Sequence, residues 1–338
     1  MKVIILGAGA SFHAGYPLAS QMGKSLVAWI EILPADHHFR TVIRQIEERY
    51  GSLDNFESIL ADLMTPSQDS QRTEFETLRP YILGDLQEAL RQQFEMIRSR
   101  PVDLYERLVK LIQPGDIVIT FNYDLAIEKA LQEAGLWRIS TGYGFAIGDE
   151  QPPSPVEVLK LHGSMNWRAL LFEGRRRGGF IGNGTSLGQR PVLFFRPDLE
   201  YLGYGSFVDP RCASLTAAAS IPAMILPALP KRFYFETSFG REWEDFWSAL
   251  WDRAEQAIEA ASEIAVIGYS LPIADEAARN LLLNTKNRSI PVAISCGSSS
   301  ESIRDEFAKN GFSVVEPAPR TFEEYLAAKE AAKSHSGK

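Results

Sequence analysis

Three residues of this chain carry most of its chemical potential, and each follows a segment that reads as a strand. Asn122 and Asp124 close the stretch Ile117-Val118-Ile119-Thr120-Phe121-Asn122-Tyr123-Asp124, and His162 follows residues 156–161 and precedes Gly163-Ser164. A histidine near its reference pKa exchanges a proton at neutral pH and can serve as a general base. An asparagine amide can orient water or a ribose hydroxyl, and a carboxylate can meet an amide donor. Each has a plainer use as well. A lone histidine is commonly a satisfied structural residue, and Asp124, just ahead of Leu125, is equally well placed to cap a helix. The other histidines, His13, His37, His38 and His335, take the structural reading.

A different chemistry is offered by Gly7-Ala8-Gly9-Ala10-Ser11, which follows the apolar run 2–6. Glycines there let the backbone approach a pyrophosphate, while amides at the next helix N-terminus and the Ser11 hydroxyl donate to it. The spacing is not the G-x-G-x-x-G of an ordinary dinucleotide fingerprint, so the loop alone is a weak signal. Two later runs end similarly, 264–267 at Gly268-Tyr269-Ser270 and 291–295 at Cys296-Gly297-Ser298.

These residues need a frame that brings strand ends together. Run 2–6 is apolar up to its glycines, as in a central parallel strand covered on both faces, 117–120, 156–161, 264–267 and 291–295 read as further strands, and helical spacing lies between them. The expected fold is α/β: a Rossmann-like parallel sheet with helices on both faces. In such a sheet ligands lie beyond the carboxyl ends of the strands, where every unusual polar residue here falls. Residues 36–100 show helical spacing (Val42, Ile43, Ile46; Phe56, Ile59, Leu60, Leu63; Leu83, Leu86, Leu90, Phe94) and read as an all-helical insertion. Residues 168–235, rich in glycine, proline and aromatics, read as loops and short strands, with Ala223-Met224-Ile225-Leu226 the best strand. Residues 242–262 form a helix whose stripe of Trp243, Phe246, Trp247, Leu250, Trp251 and Ala254 suits core or a subunit contact. The expected organisation is one domain over 1–332 and a loose tail over 333–338.

Composition limits the function. Of 338 residues 45% are apolar and 23% charged, as in an ordinary globular protein. With 35 Lys and Arg against 43 Asp and Glu the net charge is -8, which lacks the footprint of a nucleic-acid binder. Arg175-Arg176-Arg177, between glycines, reads as a hairpin tip. Two cysteines, Cys212 and Cys296, cannot build a four-thiolate zinc site or a disulfide framework, and no metal is expected. The start carries no secretory leader and no run is long enough to span a membrane, so the expected location is cytoplasmic.

Taken in order, the motifs resemble the sirtuin superfamily, specifically the SIR2-like domains of bacterial NAD-consuming anti-phage defence proteins. Gly7-Ala8-Gly9-Ala10-Ser11 with Ala14-Gly15-Tyr16-Pro17 resembles that family's first NAD motif, Thr120-Phe121-Asn122-Tyr123-Asp124 its Asn/Asp motif, and Leu161-His162-Gly163-Ser164 its catalytic histidine motif. Gly268-Tyr269-Ser270-Leu271 resembles the later phosphate and ribose loop, and Leu226-Pro227-Ala228-Leu229-Pro230-Lys231 a proline and lysine stretch of these proteins. The resemblance covers about residues 1–30 and 101–310. It implies NAD as substrate, with Gly7, Ala8, Gly9, Ser11, Gly268 and Ser270 at the phosphates and adjoining ribose and Cys296 and Gly297 at the adenosine. Asn122 and Asp124 would lie by the nicotinamide ribose, with His162 the base.

Two departures are informative. Pro17 is followed by Leu18-Ala19-Ser20, where protein-deacylating sirtuins carry Asp-Phe-Arg, and the zinc ribbon of those enzymes is missing. The expected activity is therefore hydrolysis of NAD to nicotinamide and ADP-ribose, with Asn122 and His162 catalytic, in defence by NAD depletion. The alternatives are a non-catalytic sensor of NAD or ADP-ribose, and an NAD-dependent deacylase or ADP-ribosyltransferase. Such an activity needs restraint, so a homo-oligomer or a separate regulatory subunit is the expected partner, with the helical insertion as its surface.

Overall fold

The computed structural model of the chain describes residues 1–64, 74–97, 101–145, 152–170, 193–195, 220–224, 241–316 and 319–336. Its strands are β1 (Lys2–Leu6), β2 (Ile117–Thr120), β3 (Glu157–Lys160), β4 (Gly163–Leu170), β5 (Leu193–Phe195), β6 (Ser220–Met224), β7 (Glu263–Ile267), β8 (Pro291–Ser295) and β9 (Ser313–Val314). Its helices are α1 (Ala8–Ser11), α2 (Met22–Glu31), α3 (His38–Tyr50), α4 (Phe56–Met64), α5 (Glu74–Ile97), α6 (Asp103–Val109), α7 (Ala126–Glu133), α8 (Arg241–Glu259), α9 (Glu276–Leu283), α10 (Ser300–Lys309) and α11 (Phe322–Ser336).

Six strands form one sheet in the order β3-β2-β1-β7-β8-β9, and every neighbouring pair is parallel. The chain winds outward from β1 through β2 to β3, then restarts beside β1 and winds the other way through β8 to β9. The reversal of direction leaves a topological switch between β1 and β7. The central strands are buried almost without break, as runs such as Val-Ile-Ile-Leu require. β9, two residues long, makes a short and easily protected edge.

A smaller antiparallel sheet, order β5-β4-β6, stands beside the parallel one. It was not foreseen as a sheet, because β6 opens with Ser220, Ile221 and Pro222 and not with an apolar run. Its strand lies earlier than the expected 223–226, of which Ile225 and Leu226 fall outside the described residues. β4 shifts register between Gly163 and Arg168, so the strand that leaves the His162 turn is bulged at its start.

Between β1 and β2 the described residues carry α2 to α6. α3 to α5 bury Val42, Ile46, Phe56, Ile59, Leu60, Leu86 and Leu90 in the same continuous core as the sheet. Polar side chains fasten them. Gln87 Nε2 donates to the Met224 carbonyl of β6 at 3.1 Å, and Gln93 Nε2 to the Ser25 carbonyl of α2 at 2.8 Å. On α8, Trp247, Leu250 and Ala254 are buried, and the Trp247 ring lies 5.8 Å from Trp167 of β4, so this part of the stripe is core. The side chains of Trp243 and Phe246 are outside the description. At the end of the chain, α11 is helical through Ser336. Its Phe322, Tyr325 and Leu326 are buried and Glu330 pairs with Arg107 of α6 at 2.8 Å. No helix among the described residues is long and apolar enough to cross a membrane.

Candidate active site

The sheet register gathers the chemistry. Leu6 lies opposite both Thr120 and Ile267, Thr120 opposite Lys160, and Ile267 opposite Ser295. The next residues, Gly7, Phe121, Leu161, Gly268 and Cys296, therefore stand in one row at the carboxyl edge, and the motifs that follow them crowd the switch between β1 and β7. The ladder holds one step beyond the strands. Gly7 donates to the Ile267 carbonyl at 3.0 Å, Phe121 to Leu6 at 3.1 Å, Leu161 to Thr120 at 3.0 Å and Gly268 to Ser295 at 2.9 Å.

Glycine at these exits serves contact between loops. A Cβ on Gly268 would sit 2.1 Å from the Ala10 amide nitrogen and one on Gly7 would sit 2.5 Å from Cα of Tyr269. The Gly9 amide donates to the Gly268 carbonyl at 2.9 Å and the Ala10 amide to the Gly7 carbonyl at 2.9 Å. Two amides of the first loop are thus spent within the protein, while Ala8 and Gly9 remain half-buried at its outer edge.

Asn122 and Ser11 meet at the centre. Asn122 Nδ2 donates to the Gly7 carbonyl at 2.9 Å and to Ser11 Oγ at 3.1 Å, and Ser11 Oγ also lies 2.8 Å from the Tyr105 hydroxyl of α6. Ser11 is wholly buried and Asn122 nearly so. Burial, with the charge of Asp124 second, holds the Tyr105 phenol well above its ordinary range, so it stays protonated.

Asp124 Oδ1 accepts from the Ala126 amide at 3.0 Å, an Asx-type turn that leads the chain into α7, whose N-cap is Leu125 and carries no side-chain cap bond. The Asp124 carbonyl accepts from Lys160 Nζ at 2.5 Å. That ammonium, fully buried at the end of β3, also pairs with the equally buried Glu128 of α7 at 2.8 Å. Tyr143 donates to Glu128 at 3.4 Å and Asn166 of β4 to Tyr143 at 3.0 Å. Burial raises the Glu128 carboxyl above its usual range and Lys160 pulls it back down. The sequence carried no sign of this network, since one lysine closing an apolar run is indistinguishable from a solvated strand end until its neighbours are known.

His162 is buried against aromatic rings: Phe121 lies 5.0 Å away and stacks on Tyr269 at 4.3 Å. Its Nε2 lies 3.0 Å from Oδ2 of buried Asp275, at ion-pair distance and off the line of a good hydrogen bond. Asp275 was also missed in the sequence. The signal available was its place ahead of Glu276 to Leu283, where it caps α9 by accepting from the Ala278 amide at 3.2 Å. Tyr269 donates to the same carboxylate at 3.1 Å. Glu57, on the first turn of α4, is raised by burial first and then by the charge of Asp275, which brings the helical insertion to the rim of this cluster.

The outer half of the edge is open. Gly268 and Cys296 are half-buried, and Ser270 and Gly297 are exposed. Burial pushes the Cys296 thiol up to about 11, and its sulfur faces the Val266 carbonyl at 3.7 Å. Such a thiol is a poor nucleophile at neutral pH. With iodoacetamide at pH 8, peptide mapping is expected to show Cys296 alkylated at least about tenfold more slowly in the folded protein than after denaturation; equal rates would contradict this burial. Among the described residues no group of three or more His, Cys, Asp and Glu is placed to hold a metal ion. Cys212, Arg175 to Arg177 and the 226–231 stretch lie outside the described residues.

No protein-family model matches the chain, and no curated protein matches it. Among solved structures it is similar to a Sir2 homologue in complex with NAD, at 16% identity and TM-score 0.45, over 91% of this chain and 88% of that one. It is also similar to Sir2 bound to acetylated peptide, at 14% identity and TM-score 0.46, over 100% of this chain and 93% of that one. The fold itself rests on the strand order: a doubly wound α/β protein whose polar strand-end residues share one edge.

Proposed function

We propose that the crevice between β1 and β7 binds NAD and that the chain hydrolyses it to nicotinamide and ADP-ribose. The observation that carries this reading is the convergence of Asn122, His162, the Gly7 to Ser11 loop and the Gly268 loop on one sheet edge at the switch point, in the order of the motifs that resemble NAD-consuming SIR2-like domains. In this reading the open outer half, with Ala8, Gly9, Gly268, Ser270, Cys296 and Gly297, takes the phosphates and adenosine. The closed inner half, with Asn122, Asp124 and His162, takes the nicotinamide ribose, and Ser11, buried with its hydroxyl held by Asn122 and Tyr105, braces the phosphate loop from within.

Breaking the bond between nicotinamide nitrogen and ribose C1′ leaves the electron pair on nicotinamide and positive charge on the sugar. Fixed dipoles around the ribose stabilise that charge. The Asn122 amide, held between Gly7 and Ser11, is such a dipole. A water oxygen then bonds to C1′, and His162 accepts the proton released. In a cell this activity would deplete NAD, as in anti-phage defence, and would need restraint by self-association or a second subunit.

Chromatography of NAD and its products tests the reading. Wild type is expected to release nicotinamide and ADP-ribose in equal amounts, and His162→Ala and Asn122→Ala to lower the rate by about 10²- to 10⁴-fold. Tight NAD binding without turnover by the wild type would replace the enzyme with a sensor, and a mass-labelled acceptor protein would replace it with a transferase.

A further inference from the structure

We propose that Tyr105 is the positioning residue of Asn122: acting through Ser11 Oγ, its hydroxyl fixes the plane of the Asn122 amide and so makes Oδ1 the end that the crevice presents to a ligand. The inference rests on the reading of Asn122 as the dipole beside the ribose and adds a residue from α6.

The first support is the use made of the hydrogens on Asn122. Nδ2 carries two, and both find acceptors inside the protein, the Gly7 carbonyl at 2.9 Å and Ser11 Oγ at 3.1 Å. A carbonyl only accepts, so Gly7 decides which end of the amide turns inward. One such bond still lets the amide plane swing, and the bond to Ser11 stops it. What the amide offers a ligand is then Oδ1, the negative end of its dipole. That end suits positive charge growing on a ribose, or a hydrogen of the attacking water.

The second support is that Ser11 does not secure this bond unaided. A serine hydroxyl rotates, and its hydrogen turned toward Nδ2 would oppose the amide donor. The Tyr105 hydroxyl lies 2.8 Å from Ser11 Oγ and removes that freedom. If Ser11 donates to the phenol, its hydrogen is led away from Asn122. If the phenol donates, Oγ accepts from both neighbours and its hydrogen points at neither. In both cases a lone pair stays on Asn122. Ser11 and Tyr105 are wholly buried, so water does not compete for the hydroxyl, and burial keeps the phenol protonated. The phenol is also held in place. Its ring lies 5.2 Å from His13 and 5.7 Å from Phe322 of α11, and His13 Nδ1 donates to the Ala10 carbonyl at 2.8 Å, which ties the chain on both sides of Ser11 to the same cluster.

Tyr105→Phe keeps the ring and its packing and removes the hydroxyl. Nitrogen-15 NMR of the Asn122 side-chain amide, identified by its loss in Asn122→Ala, is expected to show both hydrogens protected from solvent exchange in the wild type and exchanging at least about tenfold faster in the variant. An amide that exchanges freely in the wild type overturns the proposal, whether or not the variant folds, and so does a variant whose exchange is unchanged. In the NAD assay Tyr105→Phe is expected to lower kcat about 10- to 100-fold with KM within about threefold, and to add nothing in an Asn122→Ala background. A kcat within about threefold of wild type, or losses that add, would overturn it. A wild type that leaves NAD intact would sink the hydrolase reading alone, since amide exchange decides the positioning without turnover.

Discussion

Replacing Lys160 by methionine is expected to destabilise the protein by about 3–5 kcal/mol at neutral pH, the cost of leaving a buried charge without its partner. Lys160 and Glu128 are both fully buried and 2.8 Å apart, and the same ammonium holds the Asp124 carbonyl. Removing it abandons Glu128 to a medium that already raises its carboxyl, and it releases the turn that carries Asn122 and Asp124. The sign of the pH dependence follows. A carboxyl raised in the folded state binds its proton more readily there than in the unfolded chain, so it costs stability as pH rises from the unfolded pKa toward the folded one. Taking away the cation raises it further. The deficit of Lys160→Met is therefore expected to be largest near neutrality and to shrink toward pH 4, read from urea unfolding at several pH values. A deficit that does not vary with pH would show that Glu128 is not the strained partner. Pairing Lys160→Met with Glu128→Met is expected to recover much of the loss, because two apolar side chains leave no buried charge.

Gly268→Ala is expected to cost about 2–4 kcal/mol, with Tm lower by on the order of 5 °C, and to abolish productive ligand binding. Two effects add. The residue sits at φ +63°, where alanine is strained, and its Cβ would meet the Ala10 nitrogen at 2.1 Å. That neighbour is backbone in the first loop, so relief requires the two loops to part. Their link from the Gly9 amide to the Gly268 carbonyl is then lost, and with it the spacing between the supposed phosphate seat and the later loop. Calorimetry and NAD binding check the two parts. A variant that melts as wild type does would mean that the loops are not in backbone contact. Gly297→Ala is the control: it shares a positive φ but has open space around it, so strain acts there without a clash.

Much of the frame was legible because it is written locally. A run such as Val3-Ile4-Ile5-Leu6 ending in Gly7 needs no partner to be read as a buried strand with a tight exit, and the same holds for residues 291–295 before Cys296. Since sheet register aligns such ends, the edge where Asn122 and His162 stand followed from five local patterns. The small antiparallel sheet did not follow, because Ser220-Ile221-Pro222 is a strand only by virtue of β4 beside it.

The distinction is sharpest at the first loop. Its glycines and Ser11 were readable as a place where backbone comes close to something, since missing side chains are a local fact. What comes close is another loop, and the Ser11 hydroxyl is taken by Asn122 and by Tyr105, 94 positions away. The sequence by itself determined which residues have chemistry and that they end strands. The tertiary structure alone decided their partners, placing Asp275 on His162 and Glu128 on Lys160, because a buried charge is answered by whatever donor the fold brings within about 3 Å, however far away it lies in the chain.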